Sequence, residues 1–181
     1  MDIPIVGVNT TTKGSPVTGT ETLKIVFVCT GNICRSAMAD VMARDALERE
    51  GLLSQVRVES CGLGGWHVGQ GADNRAVETL REHGLDGTEH RAKQYGPQFA
   101  DANLFIVMDD GHRRALRNDG VPSHKIRFLR SFDPAGGRHE PLQDPYYGTK
   151  EDFTDVYHSI EAALPGLLSW VTRELEDRSD R

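Results

Sequence analysis

At 181 residues, with 38% hydrophobic and 27% charged side chains, the chain has globular composition and the length of one domain with a substantial core. Its formal net charge of −6 argues against nonspecific nucleic-acid binding, and no apolar run approaches the ~20 residues that a membrane-spanning helix needs. Three cysteines make no disulfide framework and suit a reducing, cytoplasmic setting.

Residues 1–22 are rich in threonine, glycine and proline and read as a flexible extension. They hold no basic region followed by a continuous apolar core, so no signal peptide is expected, and export by another route stays open. The domain is expected over residues 23–181. Leu23 to Cys29 is an apolar run with the pattern of a strand buried on both faces. It breaks at Thr30-Gly31-Asn32. From Arg35 onward Met38, Val41, Met42 and Ala46 recur at helical spacing, and Gly51 supplies a stop.

Val56 to Cys61 alternates as a second strand, and a glycine-rich loop through Trp66 follows. Asp73 caps a predicted helix that runs to His83, with Gly84 as its stop. Asn103–Met108 is a third buried strand, Asp110–Asn118 a short arginine-rich helix, and Ile126–Leu129 a fourth strand. From Ser131 to Gly148, three acid-proline pairs favour extended structure. The last helix is the clearest: Phe153, Val156, Tyr157, Ile160, Leu164, Leu167 and Val171 recur at three and four, Thr149 with Asp152 fits a capping box, and Pro165 should kink it. Strands alternating with helices predict an α/β fold: one three-layer domain with a four-stranded parallel sheet, its ligands at the carboxyl ends of the strands. Cys29, Ser60, Cys61, Asp109 and the loop after Leu129 all fall at that edge.

The turn between the first strand and the first helix is where chemistry concentrates. A loop folding back before a helix aims successive backbone N–H groups at one point, and the helix N-terminus adds positive potential. Such a bowl suits a tetrahedral oxyanion, and the planar fork of Arg35 can grip two of its oxygens. Cys29 sits at the bottom. A free thiol, with a pKa of about 8.5, is mostly protonated at neutral pH, and the N–H donors, Arg35 and the Ser36 hydroxyl all favour the reactive anion. One bowl would bind phosphate and activate the sulfur that attacks it. Neither nucleotide-binding glycine fingerprint is present.

Val28-Cys29-Thr30-Gly31-Asn32-Ile33-Cys34-Arg35-Ser36 resembles the phosphate loop of the low-molecular-weight protein tyrosine phosphatases, and Asp144-Pro145-Tyr146-Tyr147-Gly148 resembles their acid loop. The likeness runs from about Leu23 to the C-terminus, looks closest to actinobacterial members, and departs at Ala37, where the family usually has proline. It implies a metal- and cofactor-independent enzyme. Cys29 would be the nucleophile, Arg35 the phosphate clamp and Asp144 the acid that protonates the departing tyrosine oxygen and then activates water. Thr30, Gly31, Asn32, Ile33, Cys34 and Ser36 complete the phosphate loop. Trp66 and the Tyr146–Tyr147 pair would wall the cleft, with His67 tuning specificity. Ser60 and His90 are expected to hydrogen-bond the Asn32 side chain. Cys34 is expected to capture oxidised Cys29 as a disulfide, and Cys61 to be structural.

The expected substrate is phosphotyrosine on a protein or peptide. A phosphoarginine phosphatase is the alternative that Ile33 opposes, since those enzymes typically carry threonine there. An arsenate reductase would need a cysteine relay, for which only Cys61 remains, and lacks the Asp-Pro-Tyr-Tyr motif. Retention of both Cys29 and Asp144 opposes a non-catalytic binding module. Neither the physiological substrate nor the oligomeric state can be read from the chain.

Overall fold

The computed structural model describes residues 21–181; the extension expected over residues 1–22 lies, but for its last two residues, outside the described part. Strand β1 (Leu23–Cys29) is buried along its whole length. It pairs in parallel with β2 (Val56–Gly62) on one side and β3 (Leu104–Val107) on the other, and β3 pairs in parallel with β4 (Ile126–Phe128), giving the order β2-β1-β3-β4. The alternating faces of β1 feed two cores. Leu23, Ile25, Phe27 and Cys29 pack with residues of α1 (Arg35–Arg49), α2 (Asn74–Glu82) and α4 (Lys150–Ser179). Val26 and Val28 pack with Phe99, Phe105 and Leu116, the last from α3 (Asp110–Asn118). The result is the expected three-layer α/β domain, in which a side chain's parity along β1 decides which layer it meets.

Element ends differ slightly from expectation. β4 stops at Phe128 because Leu129–Phe132 turns into a short 3-10 segment, and no helix or strand follows until Lys150. Helix α4 starts as predicted, with the Thr149 N–H donating to the Asp152 carboxylate at 2.6 Å. It then runs unbroken through Pro165, whose ring is exposed. The next residue, Gly166, explains how the helix lies so close to the 129–132 segment: a Cβ there would stand 2.1 Å from the Phe132 carbonyl oxygen.

The central position of β1 sets up the site. Its last residue, Cys29, emerges at the carboxyl edge between β2 and β3, so loops after all three strands converge around it.

Candidate active site

The loop from Thr30 to Cys34 turns back on itself at Asn32, the one non-glycine residue with positive φ (58°) among the described residues. Asparagine adopts this left-handed backbone at lower cost than most side chains. Four bonds hold it there. Its side chain donates to the Ser36 hydroxyl at 2.8 Å and accepts the Lys93 N–H at 2.8 Å. Its N–H points at the Cys29 sulfur at 3.3 Å, and its carbonyl accepts from His90 Nε2 at 2.7 Å. Sequence reasoning expected Ser60 and His90 to bond the Asn32 side chain. Instead His90 holds the main chain, and the Ser60 hydroxyl donates to the Asp40 carboxylate of α1 at 2.8 Å. Ser36 and Lys93 do the work that had been assigned to Ser60 and His90.

The loop is also braced by bare backbone. Leu63 and Gly64 N–H groups donate to the Cys29 and Thr30 carbonyls, both at 2.9 Å. A Cβ on Gly62 would come within 2.7 Å of the Gly31 carbonyl carbon and 2.9 Å of Asn32 N. Only glycine lets β2 approach this closely.

Cys29 is 3% exposed, and its sulfur lies 2.8 Å from Ser36 Oγ as well as near the Asn32 N–H. Both groups can donate to an anionic sulfur. Helix α1 starts without a side-chain cap and without an acidic residue in its first turn. Its leading N–H groups therefore offer an anion site of the helix-terminus kind. Ala37, where resemblance expected proline, is buried in the first turn and leaves the helix intact.

Arg35 is 3% exposed and held from several sides. One terminal nitrogen donates to the Leu142 carbonyl at 2.9 Å and to Asp109 at 3.2 Å; the other donates to the Thr30 hydroxyl at 3.4 Å and to Asp144 at 3.3 Å. Cys29, Arg35 and Asp144, spread over 115 residues of sequence, thus line one cleft. Sequence reasoning marked Asp109 for its place at the sheet edge and within the family likeness, gave it no role, and missed His112 altogether. Asp109 caps α3 through the His112 N–H at 3.0 Å. The buried His112 ring accepts the Met108 N–H on Nδ1 (3.3 Å), so its Nε2–H donates to Thr30 Oγ1 at 3.0 Å. A helical capping pattern was the available signal; its coupling to Arg35 was not legible.

Around these groups lies a cleft of about 350 Å³ lined by Cys29, Arg35, Trp66, His67, Asp144 and Tyr146, among others. Trp66 is 71% and Tyr147 96% exposed, so neither anchors a loop to the core; with Tyr146 they form an aromatic rim. His67 bonds Gln70 at 2.9 Å and faces Tyr146 with ring centres 6.3 Å apart. A larger groove of about 740 Å³ between α3 and β4, lined by Arg113, Arg117, Arg127 and His139 among others, holds no cysteine.

The profile of the low molecular weight phosphotyrosine protein phosphatases matches residues 24–177. The chain is 49% identical over 156 residues to low molecular weight protein-tyrosine phosphatase A of Mycobacterium tuberculosis, covering 86% of this chain and 95% of the relative. The chain belongs to this phosphatase family. The phosphatase is also 42% identical to the low molecular weight protein-tyrosine-phosphatase of Streptomyces coelicolor, over 87% of this chain and 99% of that one. In structure it resembles an arginine phosphatase of Bacillus subtilis, solved as a Cys-to-Ser mutant with a phosphorylated active-site serine, with a TM-score of 0.74 at 28% identity, covering 83% of this chain and 96% of that one.

Protonation in the phosphatase follows burial. Desolvation pushes the thiols of Cys34 and Cys61 well above the ordinary range, so both stay protonated at neutral pH. Desolvation likewise pulls His112 down to about 4, outweighing the upward pull of Asp109 and Asp144. Burial pushes Asp109 up, but His112 and Arg35 outweigh it and hold the carboxyl low. Unfolded histidine titrates near 6.5, so below that pH the unfolded chain takes up a proton that folded His112 refuses until about 4. Stability should therefore be greatest above pH 6.5 and fall by at most about 3 kcal/mol from His112 as pH drops to 4, with His90 adding in the same direction. Urea midpoints at pH 7 and 4.5 check this. His112→Gln should lose less than wild type over that interval; an equal loss would refer the acid sensitivity to other groups.

Proposed function

We propose that the enzyme hydrolyses phosphotyrosine on proteins in two covalent steps, with Cys29, Arg35 and Asp144 as its working groups. The observation that carries this reading is the meeting of these three side chains inside a cleft rimmed by exposed aromatics. The substrate's phosphate would enter the bowl of N–H groups and draw the fork of Arg35 away from its carboxylate partners. The Cys29 sulfur attacks phosphorus, the bond to the tyrosine oxygen breaks, and Asp144 gives that oxygen a proton. Asp144, now a carboxylate, takes a proton from water as the water oxygen attacks the phosphocysteine. Inorganic phosphate leaves and the sulfur is restored. Trp66, Tyr146 and Tyr147 flank the tyrosine ring, and His67 tunes which neighbouring residues are accepted. No step uses a metal or cofactor.

Phosphoarginine is the second reading, favoured by the structural likeness to an arginine phosphatase. Ile33 opposes it, and the aromatic rim suits a ring better than a guanidinium stem. Arsenate reduction is disfavoured because Cys61, the cysteine left to carry a relay onward, is fully buried. Assaying phosphotyrosine peptide, phosphoarginine peptide and arsenate in the presence of a chelator separates the three. Turnover of the first alone supports this reading; turnover of either other substrate in its place overturns it.

A reducing, cytoplasmic working environment is the reading that three unpaired cysteines support. There, peroxide would convert Cys29 to a sulfenic acid, and the Cys34 thiol would condense with it, forming a disulfide and releasing water. Peroxide inactivation should then be reversed by thiol, and less completely in Cys34→Ser; mass spectrometry that finds no Cys29–Cys34 bond would count against the trap.

A further inference from the structure

The acid loop carries an unassigned anchor. Between Gln143 and Gly148 the bonds that reach it from outside, among the described residues, come from two arginines only. Arg35 supplies one, to the Asp144 carboxylate. Arg75 supplies the others: its terminal nitrogens donate to the Gly148 carbonyl at 3.0 Å and to the Tyr146 carbonyl at 2.9 Å. The N–H of the same residue, Tyr146, donates to Asp144 Oδ1 at 3.1 Å. A single residue therefore links Arg75 to the acid.

The other end of the link is equally defined. Asp73 grips the Arg75 fork with both oxygens, at 3.0 Å to Nε and 2.9 Å to Nη2. Burial pushes the Asp73 carboxyl up, but the bonds from Arg75 outweigh it and hold the group ionised. The Asp73 N–H donates to the Ile33 carbonyl at 2.9 Å, within the phosphate loop. The guanidinium also lies over the buried Phe153 ring, 4.5 Å from its centre, in the first turn of α4. A continuous path thus runs from the loop that holds the nucleophile, through Asp73, Arg75 and Tyr146, to Asp144.

We propose that Arg75 is a positioning residue that buckles the acid loop to the phosphate loop and so sets the placement of Asp144 over Cys29. This deepens the function proposed above and rests on it. There, substrate phosphate recruits Arg35 away from Asp144. Arg75 is then the remaining outside tether on the acid loop at the moment the proton must move. The role needs a planar fork, since the guanidinium serves Asp73 on one edge and two carbonyls on the other; a lysine ammonium cannot span both.

The test compares leaving groups. Arg75→Met keeps the stem over Phe153 and removes the fork. Single-turnover phosphorylation of Cys29 by a phosphotyrosine peptide should slow about tenfold, whereas a nitrophenyl ester, whose leaving group needs little protonation, should slow less than about threefold. Inorganic phosphate affinity should not weaken, since no phosphate-loop side chain is changed and a displaced Asp144 only frees Arg35. Arg75→Lys should show the same selective loss and serves if the methionine variant does not fold. Added to Asp144→Ala, Arg75→Met should cost nothing further. Equal slowing of both esters, or additive losses with Asp144→Ala, overturns the proposal. If Asp144→Ala is leaving-group selective and Arg75→Met is not, only the Arg75 assignment falls. If Asp144→Ala itself is unselective, the acid assignment fails and takes the Arg75 proposal with it.

Discussion

Cys29→Ser should abolish turnover while leaving the fold and the phosphate site in place. The substitution exchanges one small buried atom for another, 2.8 Å from Ser36 and within reach of the Asn32 N–H, so the contacts that shape the loop persist. What weakens is the nucleophile: a serine hydroxyl is not appreciably ionised among these donors, and as an alkoxide it leaves phosphorus far less readily than a thiolate. The loss in kcat should be on the order of 10⁴-fold or more, because attack and release both slow even where a phosphoserine forms. Thermal unfolding and inorganic phosphate titration supply the controls. A variant that keeps kcat within about tenfold of wild type, equivalent to only 1.4 kcal/mol of barrier, would sink the phosphocysteine mechanism.

Asp144→Ala gives the second large effect, and leaving-group chemistry makes it selective. The phenol of tyrosine has a pKa of about 10, so expelling it as a bare anion is unfavourable. A positioned acid typically supplies ~10²–10⁴-fold. The variant should lose about that factor on phosphotyrosine peptides in single-turnover cysteine phosphorylation, and much less on nitrophenyl-type esters. Some loss should remain in the second step for every ester, because the same carboxylate assists the attacking water. The geometry adds a further expectation: Asp144 is one of Arg35's two carboxylate partners, so its removal frees the guanidinium and should tighten inorganic phosphate binding. Equal slowing of both esters at the first step would remove Asp144 from the acid's role.

Much of this arrangement was legible in the chain, and the reason is locality. β1, its loop and α1 are consecutive, so the apolar run, the Thr-Gly-Asn break and the helical spacing from Arg35 describe one contiguous unit. Asn32 announced its left-handed turn by residue type, and Asp73 and Thr149 announced their helices by capping chemistry. What stayed hidden depends on partners far apart in sequence. Arg75 acts on main-chain carbonyls 71 and 73 residues away, and any residue presents the same carbonyl. His112 reaches Thr30 across 82 residues. Ser60 is expected on Asn32, but its hydroxyl goes to the Asp40 carboxylate of α1, 20 residues away. Residue type told which groups were chemically able; packing told which of several able groups were near.

Gly62 has a consequence for how this enzyme diversifies. At its closest approach the phosphate loop touches β2 through backbone atoms alone, so no substitution at Gly62 can be absorbed by a neighbouring side chain yielding. The floor of the cleft is therefore closed to gradual retuning, since even one methyl group there collides with three main-chain atoms. The rim is the opposite: Trp66 and Tyr147 stand in solvent with few neighbours to disturb. Substitutions at the rim are therefore expected to cost the fold little, whereas any side chain at Gly62 should disturb the phosphate loop itself.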